Sequence, residues 1–233
     1  MSRVVKCLLV TDSRGHNFDK YSRSEFDFPV DFILQRGATI HELIQPTVLK
    51  LQTYHYTFEV VVRLSAGIND LLSFVTAGDT RVFEPSTQTP DSLFNELEEF
   101  KRIVTAAHPT CRVIFSTIPP ASFSKFQLSK SLAEPVFTEE QLQDFQNHHN
   151  WIIDAINTRI INYHSSSNFP ALKWHNSVRK KETRRRRGKS ITTVRNHFAP
   201  LYDGLHGVPK LKKLWFSLSM KAFERDRVVI RRR

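Results

Sequence analysis

Four apolar runs in this chain each stop at a cluster of small or polar residues, and amphipathic helical patterns lie between them. Val4–Val10 ends at Thr11-Asp12-Ser13, Phe28–Leu34 at Gln35-Arg36-Gly37, Phe58–Leu64 at Ser65-Ala66-Gly67, and Cys111–Ser116 runs on to Ile118-Pro119-Pro120. Short runs without clean alternation suit strands buried on both faces, which is the environment of a parallel sheet. Strands that alternate with helices imply such a sheet, covered by helices on both sides. Lys173–Val178 reads as a short fifth strand.

The helical segments carry their own start signals. Thr89-Pro90-Asp91 offers an N-cap, a proline at the first helical position and an early acid, opening a helix to about Ala107. Thr138 with Gln141 fits a capping box, and Leu142, Phe145, Ile152, Ile153, Ile156 and Ile160 carry an apolar stripe to about Tyr163. A last helix runs from Pro209 to about Phe223. Between these, Leu71–Thr89 reads as a long polar connection and Arg179–Asn196 as a disordered or mobile insertion.

The 233 residues fit one domain, and 40% apolar content with 18 Phe is enough for a core. The domain is expected over 1–224, with a basic insertion at 179–197 and a basic tail at 225–233. No apolar run approaches the roughly 20 residues of a membrane span, and the N-terminus lacks a secretory pattern. An intracellular location, cytoplasmic or nuclear, is the expectation. Cys7 and Cys111 lie in strand-like runs and read as buried free thiols. No Cys-x-x-Cys pair exists and His148-His149 diverge on a helix, so no metal site is expected.

In a parallel sheet, ligands bind beyond the carboxyl ends of the strands. Ser13, Gly37 and Asn69 all fall just past the ends of the first three strands. Three strings there and further on supply complementary chemistry: Asp12-Ser13, Gly67-Ile68-Asn69-Asp70 and Asp203-Gly204-Leu205-His206. A hydroxyl nucleophile needs a base, an orienting group and oxyanion donors. Each string alone has a plainer reading: Asp12-Ser13 as a helix cap, Asn69-Asp70 as a turn, His206 as a surface histidine.

Taken together and in this order, the strings make the chain resemble the SGNH-hydrolase, or GDSL-like, superfamily. The family's Gly-Asp-Ser block appears here as Thr11-Asp12-Ser13, its block-two glycine as Gly37 within Arg36-Gly37-Ala38-Thr39, its Gly-x-Asn-Asp as Gly67-Ile68-Asn69-Asp70, and its Asp-x-x-His as Asp203-Gly204-Leu205-His206. The resemblance implies a three-layer α/β/α fold with a flavodoxin-like parallel sheet of about five strands. It implies a serine hydrolase of esters or acyl groups, with Ser13, His206 and Asp203 catalytic and no cofactor. His206 would take the serine proton, while Asp203 binds its other ring nitrogen. The oxyanion would be held by the backbone N–H groups of Ser13 and Gly37 and the Asn69 amide, with Asp12, Gly67 and Asp70 in support. Asp70 is expected to anchor its loop by accepting backbone N–H bonds. Thr11 departs from the family's glycine and sets a β-branched side chain beside the nucleophile, where it could narrow the oxyanion pocket. Phe83, Phe126 and Phe198 are candidates for an acyl pocket.

The net charge of +11 is concentrated in two places. Residues 173–195 hold ten Lys or Arg against Glu182, and 225–233 hold five Arg against Asp226. Lys180, Lys181, Arg184, Arg185, Arg186, Arg187 and Lys189 form a run that cannot be core. Three partners suit it: RNA or DNA through phosphate contacts, a nuclear import receptor, or an anionic membrane at ~1 kcal/mol per basic residue. The texture also resembles esterase-like domains of some retrotransposons and related mobile elements. The alternative function is therefore a non-catalytic nucleic-acid-binding protein that reuses the fold.

Overall fold

The computed structural model describes residues 4–21, 26, 28–77, 80–130, 134–186 and 189–232. In chain order the elements are β1 (Val5–Thr11), β2 (Val30–Leu34), α1 (Ile44–Gln52), β3 (Glu59–Ser65), β4 (Leu72–Ala77), β5 (Thr80–Pro85), α2 (Pro90–Ala106), β6 (Cys111–Phe115), α3 (Phe123–Leu128), α4 (Glu139–Tyr163), β7 (Arg179–Arg186), β8 (Lys189–Asn196) and α5 (Pro209–Arg231). The main sheet is parallel throughout, in the order β2-β1-β3-β6.

Alternation along the strands explains the three layers. Leu8, Val10, Val60, Val62, Val113 and Phe115 face a core shared with α1, α2 and α4, while Cys7, Leu9, Val61 and Ile114 face a second core with α5 and Trp174. Both faces are therefore apolar, as the strand runs require. Thr89 caps α2 through a capping box with Ser92, and Thr138 does the same for α4 with Gln141. Cys7 is buried and Cys111 half-buried, both unpaired, and burial pushes each thiol up to about 12.

Several expectations need correction. Among the described residues the sheet has four strands, where about five are expected. Lys173–Val178 is not a strand, because Trp174–Val178 forms a short 3-10 helix that turns Trp174 into the second core; a lone parallel bridge, Ser116 to Leu172, is what remains of a fifth position. Leu71–Thr89 is not a plain connection. It folds into the β4–β5 hairpin, with Phe74 opposite Phe83 and Phe83 packed on Phe123 and Phe126.

The basic insertion is a paired β-hairpin, with β7 and β8 in register from Arg179–Asn196 to Arg186–Lys189. Its β-branched residues (Thr183, Ile191, Thr192, Thr193 and Val194) favour extended backbone. Its base is fastened to α4, where Arg179 pairs with Asp154 and the Asn196 amide donates to Asn150 Oδ1 at 2.9 Å. Arg187 lies outside the described residues.

The last helix passes Phe223 and continues to Arg231, so most of 225–233 is helix rather than tail. Two residues beyond Phe223 anchor it, Asp226 and Ile230. The Asp226 carboxylate is fully buried against the equally buried guanidinium of Arg63 on β3, with Arg63 Nε and Nη2 donating at 2.8 and 3.0 Å. Ile230 also reaches the second core. Among the described residues, no helix is long and apolar enough to cross a membrane.

Candidate active site

β1 and β3 are neighbours whose chain continuations leave the sheet on different routes, so a crevice opens beyond their carboxyl ends. Ser13 follows β1 and Asn69 follows β3, which puts them at that crevice. A cavity of about 350 Å³ lies there, lined among others by Ser13, Gly37, Asn69, Asp203 and His206. Residues up to 193 positions apart in sequence thus meet at one surface. Asp12, Gly67 and Asp70 do not line it and lie in the supporting framework.

Asp12 caps the 3-10 turn Ser13–Gly15 by accepting the Arg14 N–H at 2.9 Å. Burial raises its carboxyl above the ordinary range, although the Arg14 charge and hydrogen bond pull the other way. Asp70 accepts the Ile40 N–H with both carboxylate oxygens, at 3.1 and 3.2 Å, and thereby ties the turn after β3 to the segment after β2. Gly67 makes the bend out of β3 with φ 115°. The Asn69 amide donates one of its two N–H groups to Ala38 O at 2.9 Å, which fixes the side chain, and the residue lines the cavity.

Asp203 and His206 sit in a small loop closed by the Leu201–Gly207 bridge. His206 Nδ1 is 2.7 Å from Asp203 Oδ2, while Asp203 Oδ1 accepts the backbone N–H groups of Leu205 and His206 at 3.0 and 2.7 Å. Burial alone would raise the Asp203 carboxyl. The hydrogen bonds from His206 and Leu205 outweigh it and bring the group down to about 2. An ionised carboxylate on Nδ1 keeps the proton on that nitrogen and leaves Nε2 as the acceptor. Gly204 has φ 82°, and a Cβ there would lie 2.4 Å from Ser122 O, so the motif's glycine is required by the approach of α3's N-terminus.

Two cations, the buried Arg14 and the half-buried Lys125, hold this loop against the rest of the site, and sequence reasoning missed both. Arg14 is only 2% exposed; its Nε donates to Leu205 O at 3.3 Å, Nη2 to Pro120 O at 3.2 Å, and Nη1 to Pro119 O. Burial lowers its guanidinium to about 10. Lys125 Nζ reaches Phe198 O at 3.2 Å and Leu201 O. No sequence motif marks either residue, since their partners are backbone carbonyls distant in the chain.

Thr11 does not line the cavity. Its hydroxyl donates to Ser65 O at 2.9 Å, and its methyl occupies the space that a side chain at position 15 would need. Gly15 therefore makes room for the Thr11 side chain. Of the proposed acyl-pocket residues, Phe126 lines the cavity; Phe83 is buried behind it and Phe198 packs on the second core. Phe74, Tyr202, His16, Arg36, Lys130 and Lys212 are lining residues that the sequence did not single out for this role.

The three-layer fold, a parallel sheet covered by helices on both faces, is that of solved GDSL-like hydrolases. No protein-family model matches the chain, and no curated protein matches it in sequence. Solved structures match it in fold. A GDSL-like lipase from Bacteroides thetaiotaomicron is similar over 95% of this chain and 88% of its own, at 15% identity and TM-score 0.57. A member of the lipolytic G-D-S-L family from Veillonella parvula is similar over 95% and 100%, at 10% identity and TM-score 0.59. A carbohydrate esterase of family 3 from Talaromyces cellulolyticus is similar over 98% and 99%, at 14% identity and TM-score 0.53.

Proposed function

We propose that this protein is a serine-dependent hydrolase of esters or acyl groups. The observation that carries the reading is the Asp203–His206 pair at 2.7 Å, placed on the same cavity that Ser13 lines. His206 Nε2 takes the Ser13 hydroxyl proton as Oγ bonds to the carbonyl carbon. The tetrahedral oxyanion lies against the N–H groups of Ser13 and Gly37 and the second N–H of Asn69. The carbon–oxygen bond to the alcohol breaks, and His206 returns its proton to the departing oxygen. Water then repeats the sequence on the acyl-serine, giving the acid and free Ser13. Asp203 stays ionised and stabilises the imidazolium between these steps.

Fluorophosphonate labelling tests this. Wild type is expected to label, and Ser13→Ala and His206→Ala are expected not to, with unchanged circular dichroism. A folded wild type that resists labelling, or labelling that survives Ser13→Ala, overturns the reading.

A second reading has one specific observation behind it. The β7–β8 hairpin is a two-stranded ribbon that begins beside α4, and Lys181, Thr183, Val194 and Arg195 are exposed on it. A basic ribbon of this kind can enter a duplex groove and meet phosphates. Binding to RNA or DNA that weakens steeply between 50 and 200 mM salt, and is lost on deleting 180–195, is the expected result. Binding unaffected by that deletion refutes it.

A further inference from the structure

The cavity's lining has two unlike parts. One is aromatic and apolar: Phe74 from β4, Phe126 from α3, and Leu205. The other is basic: Arg36 after β2 and Lys212 on α5, with His16 after β1 beside Arg36; Lys130 also lines the cavity, but on the aromatic side, its Nζ 4.1 Å from the Phe126 ring centroid. Arg36 Nη2 contacts His16 Nε2, and the charges of Arg36 and Lys212 both act on His16. Lys212 is half-buried, and both its burial and the Arg36 charge lower it. Against these, Asp203 is the one carboxylate among the described lining residues, and it is already bonded to His206 and two backbone N–H groups. Like charges gathered at a concave, partly desolvated wall repel one another, so their grouping costs energy until an anion lies among them.

Resting on the esterase reading, we propose that the cavity takes esters carrying an anionic group, a carboxylate or a phosphate, which Arg36 and Lys212 hold while Phe74 and Phe126 receive the apolar part. A guanidinium and an ammonium suit oxygen anions of either kind, the first by two parallel hydrogen bonds and the second as a point charge. The volume of about 350 Å³ suits a compact ester rather than a long-chain lipid.

Three probes of similar size separate the possibilities: 4-acetoxybenzoate, 4-acetoxyphenyl phosphate and the neutral 4-acetoxybenzamide. Binding is measured calorimetrically to the Ser13→Ala protein, which cannot turn them over by the proposed route, and hydrolysis is measured with wild type. Each anion is expected to bind about tenfold or more tightly than the amide, the worth of one charge-assisted hydrogen bond. The same ratio is expected in kcat/KM. Combining Arg36→Gln with Lys212→Gln should collapse both ratios towards one, as should raising salt from 0.1 to 1 M.

The two anions ranking apart identifies carboxylate or phosphate as the natural group. Equal binding of anion and amide, or a preference that persists in the double variant, overturns the proposal while leaving ester hydrolysis standing. Selective anion binding in a wild type that hydrolyses none of the three overturns the esterase reading and leaves the anion site.

Discussion

Position 15 offers a test in which the packing argument and ordinary backbone energetics predict opposite signs. Gly15 has no positive φ, so alanine there fits the backbone and would, in open space, stabilise the fold by ~0.4–1 kcal/mol through the unfolded chain. The structure leaves no such space. An alanine Cβ would stand 2.0 Å from Thr11 Cγ2 and 2.9 Å from Thr11 Oγ1, against a normal carbon–carbon contact of ~3.5–4.0 Å. Moving the turn away costs about 1–3 kcal/mol of overpacking strain. Rotating Thr11 instead breaks its buried hydrogen bond to Ser65 O, at a similar ~1–3 kcal/mol. Gly15→Ala is therefore expected to destabilise by about 1–3 kcal/mol.

Replacing Thr11 by glycine removes both close atoms, so the double variant Thr11→Gly/Gly15→Ala should be more stable than the two single effects sum to, by ~1–3 kcal/mol. Urea titration followed by fluorescence measures this, because Trp174 and Trp215 stack at 5.1 Å in the second core and report its loss. Effects that add within ~0.5 kcal/mol, or a Gly15→Ala protein more stable than wild type, would refute the claim that these two positions share one space.

Four further outcomes are expected. Asp226→Ala leaves Arg63 charged and buried, and its urea midpoint should correspond to a loss of ~3–5 kcal/mol, whereas Arg63→Met/Asp226→Leu together should recover most of it. Asn69→Ala should lower kcat by ~10²–10³ if its free N–H holds the oxyanion, with KM changed much less. Asp203 is held below its unfolded value, so it contributes stability above the ordinary carboxylate range and loses it as pH falls through about 2; Asp203→Asn should remove that part of the acid dependence in pH-resolved urea titrations. Asp70 has the opposite sign, because burial and the nearby Glu96 carboxylate raise it despite the Ile40 N–H bonds. Stability should therefore decline as pH rises above the ordinary carboxylate range, and Asp70→Asn should flatten that decline.

The parts of the architecture that depend on local pattern were legible. Continuous apolar runs marked β1, β2, β3 and β6, since a strand buried on both faces must be apolar on both. Thr89 and Thr138 marked the starts of α2 and α4, since capping is settled within four residues. Two hairpins lie outside these patterns. The Phe74-Val75-Thr76 and Arg81-Val82-Phe83 segments about Gly78-Asp79 carry a strand–turn–strand signal that could have been found. The β7–β8 strands are hidden by charge, because a two-stranded ribbon with exposed residues needs no apolar face, and only its threonines, isoleucine and valine hint at extension.

By itself, then, the sequence determined that a parallel sheet would form and which residues would stand at its strand ends, because hydrophobic period, caps and turns act over a few positions. It placed Ser13, Gly37, Asn69, Asp203 and His206 near one site through ordered blocks. Only the tertiary structure decided that a conspicuously basic segment packs into the fold, with Asp226 buried against Arg63, 163 positions away, and Ile230 in the second core. It alone decided that Arg14 braces the histidine loop and that His16, Arg36 and Lys212 share one wall. These are meetings of side chains and carbonyls brought together by packing, and a pairing energy between distant residues leaves no period or spacing in the chain to read.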